Sequence, residues 1–439
     1  MNISSTDISG PEAAKSSDPV FPSAYRLPFV LVTALFFLWG MSNNLTDILV
    51  QQFKKSFELS QIQAQLVQTA VFFGYFCMAI PAAVFMRRMG YKAGILAGLC
   101  LFGGGMLLFW PAAVIGHYGP FLLALFVVGC GSATLETAAN PFIAQFGAPS
   151  TSAQRLNFSQ AFNPPGTIAG VLIGTFFIFS GIELTAAKVK QMQSGGTYAS
   201  YLHTEILRVV PTYVVLGCVV LLLALWIALT KFPSLETAAE SAGETGSFRE
   251  LLHYPHLWLA VGAQFCYCGA QVSTWSAFIP YMKQYTVTSE RKAALFLTGS
   301  LVALAAGRFV STYLMRWFRP TIMMGVYALI NIALLAVGIL HPGMIGAWAI
   351  LATSFFMSIM FPTIFALGVK GLGPNTKIGG SVIVMSVVGA AIVPPLLGYI
   401  AKHTGSYATG YSVALAAYIA VAAYGFFGSQ TKGEPVVGQ

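Results

Sequence analysis

The chain has 439 residues, of which 56% are hydrophobic and 8% charged, and its mean hydropathy is +0.73. A globular domain carries about 25% charged residues, so 23 Lys and Arg with 14 Asp and Glu cannot furnish a water-facing surface for a chain this long. A soluble protein, a disordered chain and a collagen-like fibre are all excluded.

A membrane span with its connection uses on the order of 35 residues once ~20 apolar residues must cross the hydrocarbon, which leaves room for about a dozen spans. Residues 1–27 are polar and Ser/Pro-rich. They lack the basic-then-apolar pattern of a signal peptide and read as a tail. Apolar runs then predict spans at 28–52, 62–86, 93–115, 119–146, 155–181, 208–230, 256–283, 292–316, 321–340, 345–369, 378–401 and 406–428. The segment 231–255 is charged and poor in apolar residues, as a linker between two halves would be, and 429–439 is a second tail. The expected fold is therefore all-α, with twelve transmembrane helices in two pseudo-symmetric six-helix bundles, 28–230 and 256–428.

The halves echo each other. NPFIAQFG places Pro141 six residues before Gly147, FPTIFALG places Pro362 six before Gly368, and the offset is 221 residues. A basic residue follows each, Arg155 and Lys377, and then a Gly/Pro-rich helix. Parallel repeats about an axis along the membrane normal have this form. An even span number puts both termini on one side. Fourteen of the 23 Lys and Arg fall on that side, against nine opposite, which assigns both termini to the cytoplasm of a plasma (inner) membrane protein. The net charge of +9 is spread singly between apolar runs rather than gathered on the face that nucleic acid requires. The expected surroundings are lipid bilayer, with no nucleic acid, and a monomer is expected.

The six cysteines all lie in apolar runs and read as packing. The six histidines fall in connections or at span ends, and no GxxxxGK[ST] phosphate cradle is present. No metal, ATP or acid–base–nucleophile set is implied, so the chain reads as a transporter rather than an enzyme. It needs no cofactor beyond an ion gradient.

Of the 14 acidic residues, only Asp47 and Glu136 fall inside predicted spans. A charge in hydrocarbon costs at least ~3 kcal/mol, so an intramembrane carboxylate is read as functional unless a structural partner is found. The clearest intramembrane base is Arg308, near the middle of the eighth span, with packing or gating as its plain alternative. Helical spacing gathers amides beside the acids: Asn43 is four residues before Asp47, and Asn140 four after Glu136. Gln160 and Asn163 are three apart in the fifth span. Gln264, Tyr267, Gln271 and Trp275 form a polar-aromatic stripe in the seventh. Single buried amides stitch helices together as often as they bind ligands, but four helices with such groups predict a polar cavity. Amides that donate and accept, beside a carboxylate and aromatic faces, suit a neutral polyhydroxylated ligand.

The stretches LFFLWGMSNNLTDILVQQF (35–53), FGYFCMAIPA (73–82), YKAGILAGL (91–99), LETAANPF (135–142), RLNFSQAFN (155–163), AQFCYCGAQ (263–271) and MSIMFPTIFALGVK (357–370) carry a resemblance. With them the chain resembles the major facilitator superfamily, and within it the fucose permease branch of the sugar–proton symporters. The resemblance implies two bundles around a central cavity that work by alternating access. It implies that Asp47 handles the proton and that Glu136 joins sugar recognition with the same protonation cycle. Asn43, Gln160 and Asn163 match polar cavity positions of that branch. The branch has the superfamily's loop pattern degraded, here to RRMGYKAG (87–94). Related glucose and galactose permeases carry an amide at Glu136, so the acid favours the fucose-like reading. Phe361 stands where that branch has a tyrosine.

The expected function is import of a monosaccharide, L-fucose or a related hexose or deoxyhexose, in symport with a proton. Low dielectric favours the neutral acid over its anion, so a carboxylate in a cavity can load a proton on one side and release it on the other. The sugar drives reorientation only if it binds one protonation state better than the other. The first alternative is a sodium-coupled or uncoupled glucose/galactose carrier. The second is a non-transporting receptor, for which the sequence offers no output module.

Overall fold

The computed structural model describes residues 26–64, 66–178, 186–233, 247–288 and 290–429. Nearly all of both expected tails and most of the expected 231–255 linker lie outside the described residues. Within them the chain is mainly helical, and the long helices overlie the twelve expected spans, with helix also at Ala186–Ser194 and from Tyr198, ahead of the expected sixth span at 208. The first half contains α1 (Arg26–Ser56), α2 (66–89), α3 (91–115), α4 (Tyr118–Gln145), α5 (Pro149–Ile178) and α6 (Tyr198–Leu229). The second contains α7 (Pro255–Ser276, continued by Phe278–Tyr285), α8 (Glu290–Leu314), α9 (Pro320–Leu340), α10 (Met344–Gly368), α11 (Gly373–Thr404) and α12 (Tyr407–Gly428).

Among the described residues ten stretches are apolar and long enough to cross a bilayer. Two features raise this to twelve. The 50-residue stretch Leu66–Ile115 turns at Gly90, whose φ of 79° is open to glycine and strained for other residues. It is thus α2 followed by α3. The other is α7, whose 22-residue segment Pro255–Ser276 is long enough to span at 1.5 Å per residue. Gln264 and Gln271 make it less apolar than the rest.

Burial sorts the helices. In α4 every residue from Val128 to Ala144 is buried, the mark of a central helix. In α6, Leu222, Leu225, Trp226 and Leu229 are exposed, as a lipid-facing helix requires.

The two halves are built alike. In the first, α5 packs on α1 so closely that a Cβ on Gly166 would collide with the carbonyl of Phe37. In the second, α11 packs on α7, and a Cβ on Gly389 would collide with the carbonyl of Phe265. Both helices are also interrupted. Regular α-helix in α5 stops at Gln160 and resumes at Asn163, and in α11 a 3-10 turn, Ser386–Val388, separates Thr376–Met385 from Gly389–Thr404. Small residues that let backbones approach are a common means of holding helices together in lipid.

The halves meet on the side where α1 begins and α12 ends. There Asn157 Nδ2 of α5 donates to Thr363 Oγ1 of α10 at 3.0 Å, and Gln154 Nε2 donates to the carbonyl of Thr312 in α8 at 3.1 Å. Lys377, at the start of α11, sits 5.3 Å from the ring centroid of Tyr91, just past the α2–α3 turn. This side of the molecule is closed.

Candidate functional site

Glu136 lies midway along α4 and is 2% exposed, with no well-formed hydrogen bond to either carboxylate oxygen among the described residues and the Tyr75 hydroxyl close beside it. Its electrostatic neighbours are Tyr75 of α2 and Cys268 of α7, so it faces from the first half to the second. Tyr75 is itself held, its hydroxyl oxygen accepting from Trp39 Nε1 of α1 at 2.8 Å. One turn along α4, Asn140 is fully buried and accepts at Oδ1 from Gln160 Nε2 at 3.0 Å, which ties α4 to α5. The Asn140 Nδ2 donor is unmatched. Asn163 Nδ2 reaches the carbonyl of Phe36 in α1 at 3.4 Å.

From the second half, Gln264 and Tyr267 are fully buried. Gln264 Nε2 makes a long contact with Cys268 Sγ, 3.7 Å, while Gln264 Oε1 and the Tyr267 hydroxyl have no partner among the described residues. The Tyr267 ring meets Phe361 edge-on at 6.4 Å. Arg308 of α8 is 5% exposed and joins the halves, with Nη1 donating to the carbonyl of Gln160 and Nε to that of Ser358, both at 2.8 Å.

The expected residues therefore do not all play one part. Glu136, Asn140, Gln160, Gln264 and Tyr267 form a buried polar group between the halves. Asn43 is exposed along α1. An amide at that depth is unfavourable against lipid, so its exposure places it on an aqueous space. Gln271 is half-buried, and Trp275 donates to Ser354 Oγ of α10 at 3.2 Å. Eleven residues separate Trp275 from Gln264, roughly 16 Å along a helix, so it ties α7 to α10 well away from Glu136. The side chain of Asp47 lies outside the described residues, although its backbone belongs to α1.

Sequence reasoning missed Trp39 and Tyr75, because aromatic residues in apolar spans are usually packing. It also left Glu205 outside the predicted spans, at a span end or in an outer loop. The structure buries Glu205 at 1% exposure in the first turns of α6, where it accepts from Gln52 Nε2 at 3.0 Å and pairs with Lys55 at 3.3 Å and Arg208 at 3.8 Å. The apolar run of α6 begins only at Val209, but its helical course starts at Tyr198. That extra length carries Glu205 inside.

An unmatched buried polar group costs ~1–3 kcal/mol. Donors (Asn140 Nδ2, the Tyr267 hydroxyl) and acceptors (Glu136, Gln264 Oε1) stand unmatched together, so the site favours a ligand that supplies both kinds of partner, as a ring of hydroxyls does.

Comparison with known proteins agrees with this architecture. Residues 30–378 match the family model of the Major Facilitator Superfamily. The chain is 41% identical over 413 residues to the L-fucose-proton symporter of Escherichia coli (strain K12), covering 93% of this chain and 94% of that protein. It is 34% identical over 411 residues to the glucose/galactose transporter of Brucella abortus (biovar 1, strain 9-941), covering 93% and 95%. The crystal structure of the transporter FucP in the outward conformation superposes with a TM-score of 0.85 at 40% identity, covering 93% of this chain and all of that one. The twelve helices in two like halves, the polar group between them and these matches lead to one conclusion: the chain belongs to the major facilitator superfamily.

Proposed function

We propose that this chain is a secondary active transporter that imports a small monosaccharide, L-fucose or a close relative, together with a proton. The single observation that carries the reading is Glu136, a carboxylate buried between the halves with no cationic partner among the described residues and only the Tyr75 hydroxyl beside it. A permanent structural anion would be paired in such a place. A group that alternates between neutral and charged forms has reason to lack a fixed partner.

In this reading Glu136 takes a proton from the open side and, in its neutral form, can both donate to and accept from a sugar hydroxyl. Asp47, eight residues from Trp39 in α1, is the second proton carrier. Asn140, Gln160 and Asn163 from the first half, with Gln264, Tyr267 and Gln271 from the second, supply the remaining contacts. Asn43 and Trp275 line the approach. Sugar and proton then travel together because the sugar binds best to one protonation state, and ligands shift conformers only through such differential affinity. The protein spans the bacterial inner membrane many times, and the excess of Lys and Arg on the termini side supports cytoplasmic termini. With that orientation the closed side faces the cytoplasm and the present conformation faces outward.

The coupling ion we assign is the proton, and no further cofactor enters. The test uses purified protein in liposomes with an imposed gradient. An inward pH gradient should drive accumulation of labelled L-fucose above equilibrium, and an inward sodium gradient at constant pH should not. Accumulation driven by sodium alone would overturn the assignment.

A further inference from the structure

Two prolines interrupt helices on either side of the contact between the halves, and each frees a particular carbonyl. A helical proline has no N–H to offer the carbonyl four residues earlier. Pro164 in α5 therefore leaves the carbonyl of Gln160 without its helical donor, and Pro362 in α10 does the same to Ser358. These are the two carbonyls that Arg308 takes up, Gln160 through Nη1 and Ser358 through Nε. No carboxylate pairs with Arg308 among the described residues, and its side chain is buried.

We propose that Arg308 is a staple between the halves, a positioning residue that holds the termini side closed by bridging two proline-freed carbonyls and is released when the halves part. Its placement links the staple to the binding level. The same Gln160 whose carbonyl accepts from Arg308 offers its side chain to Asn140, one turn from Glu136. Three residues earlier on α5, Asn157 bonds Thr363 of α10, so the closing contact extends from Gln160 towards the termini side. A guanidinium suits the task because its planar fork reaches two acceptors at once, which an ammonium on a flexible stem does not. Opening this side separates α5 from α10, and water must then satisfy both carbonyls. The staple rests on alternating access alone and is independent of which sugar or ion is carried.

The test is hydrogen–deuterium exchange of the protein in lipid nanodiscs, without sugar or gradient, together with the thermal unfolding midpoint. Arg308→Lys should raise exchange about fivefold, the loss of one hydrogen bond's worth of closure, in both 152–160 and 360–368, with 53–58 at the opposite mouth unchanged. Pro164→Ala is the sharper variant. It returns an N–H to the Gln160 carbonyl and so competes with Arg308, while improving the helix. The staple predicts faster exchange in 360–368 with an equal or higher unfolding midpoint. If Arg308 only supports folding, Pro164→Ala leaves exchange in 360–368 at the wild-type level, and that result overturns the proposal. Should Arg308→Lys fail to fold, Pro164→Ala and Pro362→Ala decide the matter. Loss of sugar uptake in the wild type would defeat the transport reading and leave these exchange results unaffected.

Discussion

At the scale of single residues, some buried polar groups are satisfied and others wait for a partner. Arg155 is satisfied. Fully buried, it donates to the carbonyls of Ile143, Ala144 and Ala148 and to Thr151, and so completes the C-terminal end of α4. Arg155→Ala should cost at least ~2 kcal/mol of stability because several buried carbonyls lose their donor, read as a lower thermal unfolding midpoint in detergent. Glu136 waits. Glu136→Gln keeps size and burial but cannot ionise, so gradient-driven accumulation should fall by on the order of tenfold or more while exchange of labelled for unlabelled sugar persists. Uptake with and without a pH gradient measures both. Gln160→Ala orphans Asn140 Oδ1, and the apparent sugar affinity should weaken about tenfold, measured by uptake at varied sugar concentration. Which residues belonged to the site was legible where chemistry is rare: an acid in a span and an amide one turn away. Tyr75 and Glu205 were not legible, since a phenol in an apolar run looks like packing and Glu205 precedes the apolar part of its helix.

At the scale of helices, hydropathy located the spans because each must carry ~20 mostly apolar residues, but it missed the first turns of α6, which begins at Tyr198 rather than at the expected 208. The ends of α9, α10 and α12 fall within a residue or so of the expected 321–340, 345–369 and 406–428. What hydropathy cannot show is how closely two helices approach. Gly166 against Phe37 and Gly389 against Phe265 are equivalent contacts in the two halves, and they reveal the internal repeat more directly than the Pro/Gly spacing of 221 residues does. Gly166→Ala should force α5 from α1 and destabilise by ~1–3 kcal/mol, seen in thermal unfolding. Gly104→Ala, with open space around its Cβ, should not. The breaks in α5 and α11 fall where Pro or Gly clusters stood in the sequence. The break in α5 also leaves the carbonyl of Gln160 open to Arg308, a use that no hydropathy pattern shows.

At the scale of the molecule, the two halves close on the side of the termini and present an unmatched polar group between them. Asn157, Gln154 and Arg308 bring buried hydrogen bonds to neutral acceptors into that closure, beside the contact of Lys377 with the Tyr91 ring. Buried hydrogen bonds of this kind are little screened by salt, so transport should change little between low and high ionic strength, measured as the initial rate of labelled-sugar uptake. The central claim is that sugar moves with a proton through the site at Glu136. The most direct measurement is the pH of a lightly buffered suspension of de-energised cells holding the protein, as L-fucose, D-galactose, D-glucose and D-arabinose are added in turn. The account predicts that the medium turns alkaline on adding L-fucose or a close relative, and that Glu136→Gln abolishes the change. Entry of labelled sugar with no pH change in the wild type would contradict it.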